Sequence, residues 1–128
     1  MIADTSYLLA LINPDDTHHK AARRRYEEEG APEVQLPVLA EALKVVNYTA
    51  RRRHGPERAS REERIALRTI MDTFRIHIVP VRDIDLVLSI YEKHPELSLV
   101  DACGVADARH TGGVYTFDRV QERLAKRL

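Results

Sequence analysis

The sequence has little cysteine, few aromatic residues and no net charge. Its 128 residues include one cysteine, no tryptophan and two phenylalanines, and 20 Lys and Arg residues balance 20 Asp and Glu residues. The single cysteine, Cys103, excludes an internal disulfide and fits a reducing cytoplasm. Because the net charge is zero, overall charge cannot attract a polyanion, and binding of nucleic acid would need a local basic patch.

Long apolar runs are also missing. No stretch approaches the roughly 20 apolar residues of a transmembrane helix, and the start, Met-Ile-Ala-Asp, lacks the basic and apolar segments of a signal peptide. We therefore expect a soluble cytoplasmic protein without membrane partners. A chain of 128 residues with 44% hydrophobic content is expected to form one domain with a substantial core. Glycine-rich phosphate-binding motifs are absent, which argues against nucleotide binding of those kinds.

What the sequence contains is an alternation of short strands and helices. The predicted strands are residues 2–3, 34–36, 76–81 and 114–117. The predicted helices are residues 7–12, 18–29, 38–53, 61–74, 84–93 and 120–128, with one more that begins after Ser98. This order predicts an α/β fold, a three-layer α/β/α sandwich with a central parallel sheet of four to five strands. We expect Thr5 and Ser6 to cap the first helix and His77 to be a hydrogen-bonded core residue.

Four acidic residues are predicted to meet at one edge of this sheet. Asp4 and Asp118 follow the first and last strands, Glu41 lies in the first turn of the third helix, and Asp101 completes a Ser-x-x-acid start signal with Ser98. The carboxyl ends of parallel strands share an edge, where open α/β sheets bind ligands. Interaction with a helix dipole would by itself explain Asp101 and Glu41, but it explains Asp118 less well.

Clustered carboxylates indicate a cation and a class of reaction. Carboxylates that share a partly buried site repel each other unless a cation compensates. Oxygen ligands without cysteine or suitably spaced histidines favour Mg²⁺ or Mn²⁺ over zinc. Hydrolysis of phosphodiesters is the chemistry that such a site favours, with one metal ion or two. A metal site at the adjacent His18 and His19 fits less well, because neighbouring side chains point to different sides of a helix.

Four short motifs are more specific together than any of them is alone. They are Ile-Ala-Asp-Thr-Ser at residues 2–6, Leu-Ala-Glu at 39–41, Leu-Ser-Leu-Val-Asp-Ala at 97–102 and Tyr-Thr-Phe-Asp at 115–118. In order and spacing they resemble the PIN domain family, most closely the VapC-type toxins of bacterial and archaeal toxin-antitoxin pairs. The resemblance covers essentially the whole chain and implies a single PIN-like domain over residues 1–128.

The resemblance also implies an activity and its residues. The metal-coordinating catalytic acids would be Asp4, Glu41, Asp101 and Asp118. The hydroxyls that support them would be those of Ser6 and Thr116. The implied protein is a Mg²⁺- or Mn²⁺-dependent endoribonuclease, the toxin of a type II toxin-antitoxin pair with tRNA or rRNA as its target. Such toxins are usually homodimers and are held inactive by a cognate antitoxin protein.

RNA binding would need basic residues around the acidic centre, because phosphate contacts supply most of the affinity. The candidates are Arg51, Arg52, Arg53 and Arg119, although a solvated helix face explains the first three equally well. With 5% aromatic residues, base stacking is expected to contribute little.

Two departures from the family pattern concern the end of the chain. The chain ends in the helix after Asp118, where many relatives add a final strand, so the sheet has four strands if none is added elsewhere. Arg119 and Val120 replace the acid-rich turn that is common in the family, which leaves the geometry of Asp118 open. We expect Asp107, which lies round the helix from Asp101, to be at the surface.

Two other functions stay open. One is a non-catalytic PIN-like protein-binding module whose acidic pocket captures a basic peptide. The other is a housekeeping RNA-processing nuclease, which would share the chemistry of the toxin and differ in its biology. Alanine at Asp4 or Asp101 would abolish cleavage by a nuclease but would affect only partner binding by a binding module.

Overall fold

Four short parallel strands form the centre of the fold. The structure, a computed structural model, describes residues 1–127. The strands are β1 (Ile2–Ala3), β2 (Glu33–Gln35), β3 (His77–Val79) and β4 (Val114–Tyr115). They lie in the order β3-β2-β1-β4, and every neighbouring pair is parallel. The predicted parallel sheet is confirmed, with four strands in the described part of the chain.

Helices connect the strands and cover the sheet. Within residues 1–127 they are α1 (Thr5–Ile12), α2 (His19–Glu29), α3 (Leu36–His54), α4 (Pro56–Arg68), α5 (Ile84–Lys93), α6 (Leu99–Thr111) and α7 (Arg119–Arg127). A single turn of π-helix, Thr69–Thr73, continues α4. The last residue of the final predicted helix, Leu128, lies outside the described residues. None of the described helices is long and apolar enough to cross a membrane.

Apolar side chains on both faces of the sheet produce the three layers. Successive residues of a strand point to opposite faces. The strand residues that pack with α1, α2 and α3 are Ala3, Val34 and Tyr115. Those that pack against Ala108 of α6 on the other face are Ile2, Val79 and Val114. A further apolar cluster joins α5, α6 and α7, so the predicted α/β/α sandwich is confirmed.

Two helices begin earlier than the sequence predicts, and both have a proline in their first turn. α3 begins at Leu36, just before Pro37, instead of residue 38, and α4 begins at Pro56 instead of residue 61. Proline is favourable in the first turn of a helix, because the amide that it lacks would have no intrahelical partner there. As a consequence, Glu41 lies in the second turn of α3 and not in the first, which corrects the prediction.

The third strand is shorter than predicted, and the prediction for His77 is wrong. β3 covers three residues, whereas the apolar run extends over residues 76–81. In the part of the chain that the structure describes, β3 pairs with β2 alone, and β2 itself has three residues, so the hydrogen-bonded ladder ends there. His77, the first residue of β3, is exposed and not in the core, whereas Val79, two positions on and on the same face, is buried against Ala108 of α6. Helix α6 therefore covers only the end of this strand.

Asp107 is buried, contrary to the predicted surface position. Only 1% of this residue is exposed, and its carboxylate accepts hydrogen bonds from Nη1 of Arg82 at 3.1 and 3.3 Å. The sheet, α5 and α7 cover α6 on several sides, and every residue from 102 to 108 is buried. A residue that lies round the helix from Asp101 therefore still faces protein, and an ion pair compensates its charge.

We expect Arg82→Met to lower the free energy of unfolding by about 3 kcal/mol, because it leaves a buried carboxylate without its partner. Asp107→Asn is expected to be milder, since the Arg82 side chain is 40% exposed and reaches water. Urea unfolding of both variants and of the double variant measures this difference. The double variant should recover part of the loss; a double variant as unstable as the sum of the two would contradict the pairing.

Candidate functional site

Three polar residues lie side by side at the carboxyl edge of the sheet. Ala3 is in register with Val34 of β2 and Tyr115 of β4, so the next positions along the chain, Asp4, Gln35 and Thr116, form a row. All three are buried, although the strands before them are almost entirely apolar. Buried polar groups need partners, and their contacts define the candidate site.

Asp4 is the centre of these contacts. Its Oδ1 accepts a hydrogen bond from the backbone N–H of Tyr7 at 2.9 Å and from Oγ of Ser6 at 2.8 Å. Its Oδ2 accepts a hydrogen bond from Oγ1 of Thr116. Asp4, and not Thr5 or Ser6, is therefore the residue that caps α1. The structure brings both predicted supporting hydroxyls into contact with Asp4; their part in catalysis stays a prediction.

The environment of Asp4 disfavours its negative charge. Burial raises the pKa of the Asp4 carboxyl, the hydrogen bonds from Thr116, Tyr7 and Ser6 lower it in part, and the negative charge of Asp101 raises it further. The charge of Asp101 is the smallest of these contributions to the pKa of Asp4.

Asp101 is held by the start of α6. Ser98 accepts a hydrogen bond from the backbone N–H of Asp101 at 3.1 Å, and Oδ2 of Asp101 accepts one from the backbone N–H of Ser98 at 3.4 Å. This reciprocal capping box confirms the predicted helix start. It also orients the carboxylate of Asp101, which is only partly buried.

Asp118 is exposed at the start of α7 and is linked to the same contacts. Its backbone N–H donates to Oγ1 of Thr116 at 2.9 Å, and its Oδ1 accepts a hydrogen bond from the backbone N–H of Gln121 at 3.3 Å. The Thr116 hydroxyl that contacts Asp4 therefore also positions the backbone of Asp118. One side chain joins the first and the last of the predicted acids.

Gln121 is a residue of the site that the motif analysis missed. It is fully buried; its Oε1 accepts a hydrogen bond from Thr116 at 3.4 Å, and its Nε2 donates to the backbone oxygen of Asp101 at 3.4 Å. A β-carbon at Gly104 would lie 3.0 Å from that Nε2, so α6 has a glycine where the amide packs. The spacing Asp-x-x-Gln after the last strand is a helix start signal and could have drawn attention to it.

Two buried oxygens at this edge have no hydrogen-bond partner among the described residues. They are Oε1 of Gln35 and Oγ1 of Thr5. The other end of the Gln35 amide donates to the backbone oxygen of Cys103 at 3.3 Å, which fixes its orientation. Cys103 itself is buried, as predicted for a packing residue. A buried oxygen without a donor is suited to water, to a ligand or to a cation.

The remaining predicted residues lie on α3 and α7. Glu41 is half-buried in the second turn of α3, and Arg119 is exposed at the first position of α7, beside Asp118. The three predicted arginines of α3 are exposed in its last turn. At 1.5 Å per residue, Arg51 lies roughly 22 Å along the helix axis from Leu36, where α3 begins. Arg119 is thus the predicted RNA-binding residue nearest to the acids.

The donor chemistry of the site fits a hard divalent cation, although the side chains do not form a complete cage. Within residues 1–127, no three or more His, Cys, Asp or Glu side chains are grouped closely enough to hold a metal ion. Mg²⁺, however, is usually bound through one or two carboxylates and keeps several waters. The carboxylates of Asp4 and Asp101 and the partnerless side-chain oxygen of Gln35 are donors of the kind that Mg²⁺ prefers.

Comparisons with known proteins agree on one fold. The family model for the PIN domain matches residues 1–127. Among solved structures, the chain is similar to the Mycobacterium tuberculosis toxin VapC20, described as a sarcin-ricin loop cleaving toxin, with 26% identity over 95% of this chain and 92% of that one and a TM-score of 0.69. A search of curated protein sequences finds no significant match.

A second solved structure supports the fold alone. PAE2754 from Pyrobaculum aerophilum has 20% identity to this chain and a TM-score of 0.66, with 96% of this chain and 77% of that one covered. At this level of identity the similarity concerns the arrangement of strands and helices.

In metal-free buffer at neutral pH, we expect Asp4→Asn to raise the melting temperature by a few degrees. The variant removes a charge that burial disfavours, and the Thr116 hydroxyl can turn to accept from the new amide. A carboxyl whose pKa is raised by folding stabilises the folded protein as the pH falls towards its ordinary pKa. The advantage of the variant should therefore shrink on acidification.

Thermal denaturation followed by circular dichroism in EDTA, at several pH values, measures this effect. Glu92→Gln, which changes an exposed acid near the end of α5, is the control and should leave the melting temperature unchanged. A lower melting temperature for Asp4→Asn at neutral pH would contradict the electrostatic interpretation.

Proposed function

Because the chain belongs to the PIN domain family, we propose that it is a metal-dependent endoribonuclease and the toxin of a type II toxin-antitoxin pair. PIN domains are generally nucleases and typically use divalent metal ions. The observation that supports the proposal most directly is the buried Asp4 carboxyl at the carboxyl edge of the sheet, which Tyr7, Ser6 and Thr116 hold by hydrogen bonds. A fixed carboxylate at that edge is the group expected at the centre of such a nuclease.

We assign the metal to the acids of this edge. Asp4 and Asp101 would hold Mg²⁺ or Mn²⁺, with Asp118 and Glu41 as the outer members of the set. When bound, such an ion polarises the phosphodiester, lowers the pKa of a water molecule and stabilises the leaving oxygen. An ion held through one or two carboxylates keeps coordination positions for water and phosphate oxygens.

The chain's own residues orient the acids and receive the phosphate. Both carboxylate oxygens of Asp4 are fixed by hydrogen bonds from Tyr7, Ser6 and Thr116. The Thr116 hydroxyl also contacts Oε1 of Gln121. Helices α1, α6 and α7 all begin beside a predicted acid. Their N-terminal amides carry partial positive charge, which stabilises the carboxylates and favours an incoming phosphate.

The biological assignment depends on similarity. VapC20 is described as a toxin that cleaves the sarcin-ricin loop, so a sarcin-ricin loop RNA is the first substrate to test, beside tRNA and the rest of rRNA. By the same similarity we propose a cognate antitoxin protein as the inhibiting partner and a homodimer as the active form. A housekeeping nuclease would share the site and differ in having no antitoxin.

We expect the purified protein to cut RNA at discrete positions with Mg²⁺ or Mn²⁺ and not with EDTA. Asp4→Asn and Asp101→Asn should each lower the rate by at least about 100-fold, while Ser6→Ala and Thr116→Ala should lower it about tenfold, because residues that only orient the ligands have smaller effects. Cleavage of a tRNA and rRNA pool and of a sarcin-ricin loop oligonucleotide measures these rates.

Glu92→Gln is again the matched control and should cleave like the wild type. Equal degradation by wild type and Asp4→Asn would indicate a contaminating nuclease. No cleavage with either metal, together with binding of a basic peptide that depends on Asp101, would favour the non-catalytic binding module instead.

The predicted RNA-binding arginines can be ranked by their distance from the acids. Arg119→Ala should weaken RNA binding across sequences and reduce the slope of log affinity against log salt by about one, as loss of one phosphate contact does. Arg51, Arg52 and Arg53, changed together to alanine, test whether the far end of α3 also contacts RNA. Salt-dependent binding to Asp4→Asn, which does not consume the substrate, separates the two surfaces; an unchanged slope for Arg119→Ala would remove that residue from the interface.

A further inference from the structure

We propose that the imidazole ring of His18 is a stacking surface for a nucleobase next to the phosphodiester that the protein cleaves. The proposal rests on the proposed ribonuclease function and adds a base-binding subsite to it. His18 lies in the loop between α1 and α2. It is not among the residues that we assign to the metal, and its side chain does not cap α2.

Three rings form a stack that leads from the core to the solvent. The rings of Tyr7 and Phe117 are 6.1 Å apart with an interplanar angle of 15°. The rings of Phe117 and His18 are 4.3 Å apart with an angle of 9°. Tyr7 is buried, Phe117 is partly buried and His18 is exposed. His18 is therefore the outer member of the stack.

The stack is tied directly to the candidate active site. Phe117 lies in the chain between Thr116 and Asp118, and its backbone N–H donates to Oγ of Ser6 at 3.0 Å. The same Ser6 hydroxyl donates to Oδ1 of Asp4 at 2.8 Å. One serine thus connects the aromatic stack with the carboxylate that we assign to the metal, so a base on His18 would lie near the reacting phosphate.

The structural requirements of the loop do not explain the His18 side chain. His18 precedes α2 at the capping position, but its side chain makes no capping hydrogen bond. The Asp16 side chain holds the loop instead, since its Oδ1 accepts a hydrogen bond from the backbone N–H of His18 at 2.8 Å. The neighbouring His19 has a structural contact, between its Nδ1 and the backbone oxygen of Ala10 at 2.7 Å.

The chemistry of single-stranded RNA fits such a surface. Unstacked bases bind aromatic rings, histidine included, through their faces, and this contact tolerates different bases because every base has a π-face. The expectation that stacking contributes little followed from the low aromatic content of the whole chain. The fold places two of these few aromatic side chains beneath His18, at the edge of the sheet that carries the acids.

The test compares cleavage of a natural RNA with that of RNAs that carry an abasic nucleotide at one position on either side of the cleaved bond. We expect His18→Ala to raise KM for the natural RNA about fivefold to tenfold, with a smaller change in kcat, as loss of one stacked base does. His18→Phe should restore KM. One of the abasic RNAs should raise KM for the wild type to the value that His18→Ala has on the natural RNA. On that abasic RNA, the wild type and His18→Ala should have the same KM.

Two controls separate stacking from packing. His18→Leu keeps an apolar side chain over Phe117 and should have the same KM as His18→Ala. If the alanine variant is unstable, the leucine variant takes its place in the comparison. His110→Ala removes an exposed histidine from the far end of α6 and should leave KM and kcat unchanged. Melting temperatures of all variants confirm that they are folded.

Each result decides the proposal. A KM for His18→Ala or His18→Leu equal to that of the wild type overturns the proposal. The proposal is also overturned if His18→Ala raises KM by the same factor on every abasic RNA as on the natural RNA. Both of these outcomes leave the ribonuclease function standing, because the wild type cleaves. Absence of cleavage by the wild type overturns both proposals together.

Discussion

The buried carboxylate of Asp4 is the constraint on which the rest of the site depends. A negative charge at the end of a central strand is unfavourable, and its pKa is raised by burial. The protein offsets this with three donors, two of them hydroxyls from opposite ends of the chain, and with the N-terminus of α1. Those donors in turn require partners, which is why Thr116, Gln121 and Ser6 form one connected network.

The architecture explains why buried polar residues collect at this edge of the sheet. The strands are covered on both faces and therefore apolar, whereas the positions directly after them meet the starts of α1, α3 and α7. Helix starts have free N–H groups that carboxylates and hydroxyls can satisfy. The same groups that complete the helices therefore place acids and hydroxyls along one edge of the sheet, where we propose that a phosphate binds.

Several parts of this description follow from short-range sequence patterns. The capping box of Ser98 and Asp101 and the bounds of α5 are local features, and the structure has both where the sequence predicts them. The wrong predictions also came from local patterns, and in each case a neighbouring element in the fold decided the outcome instead. His77 lies inside an apolar run like a core residue but is exposed at the start of β3, and Asp107 lies round the helix from Asp101 like a surface residue but faces Arg82. In both cases the outcome depends on which element packs beside the residue.

The sequence by itself determined the order of strands and helices, the parallel sheet, and the edge at which Asp4 and Asp118 lie, because strand and helix periodicity act over a few residues. Only the tertiary structure decided which side chains touch. Thr116 and Asp4 are 112 positions apart in the chain, and the contacts of Gln121 with Asp101 and of His18 with Phe117 also join distant segments. No local pattern encodes such contacts, since they arise from packing three layers around one shared sheet.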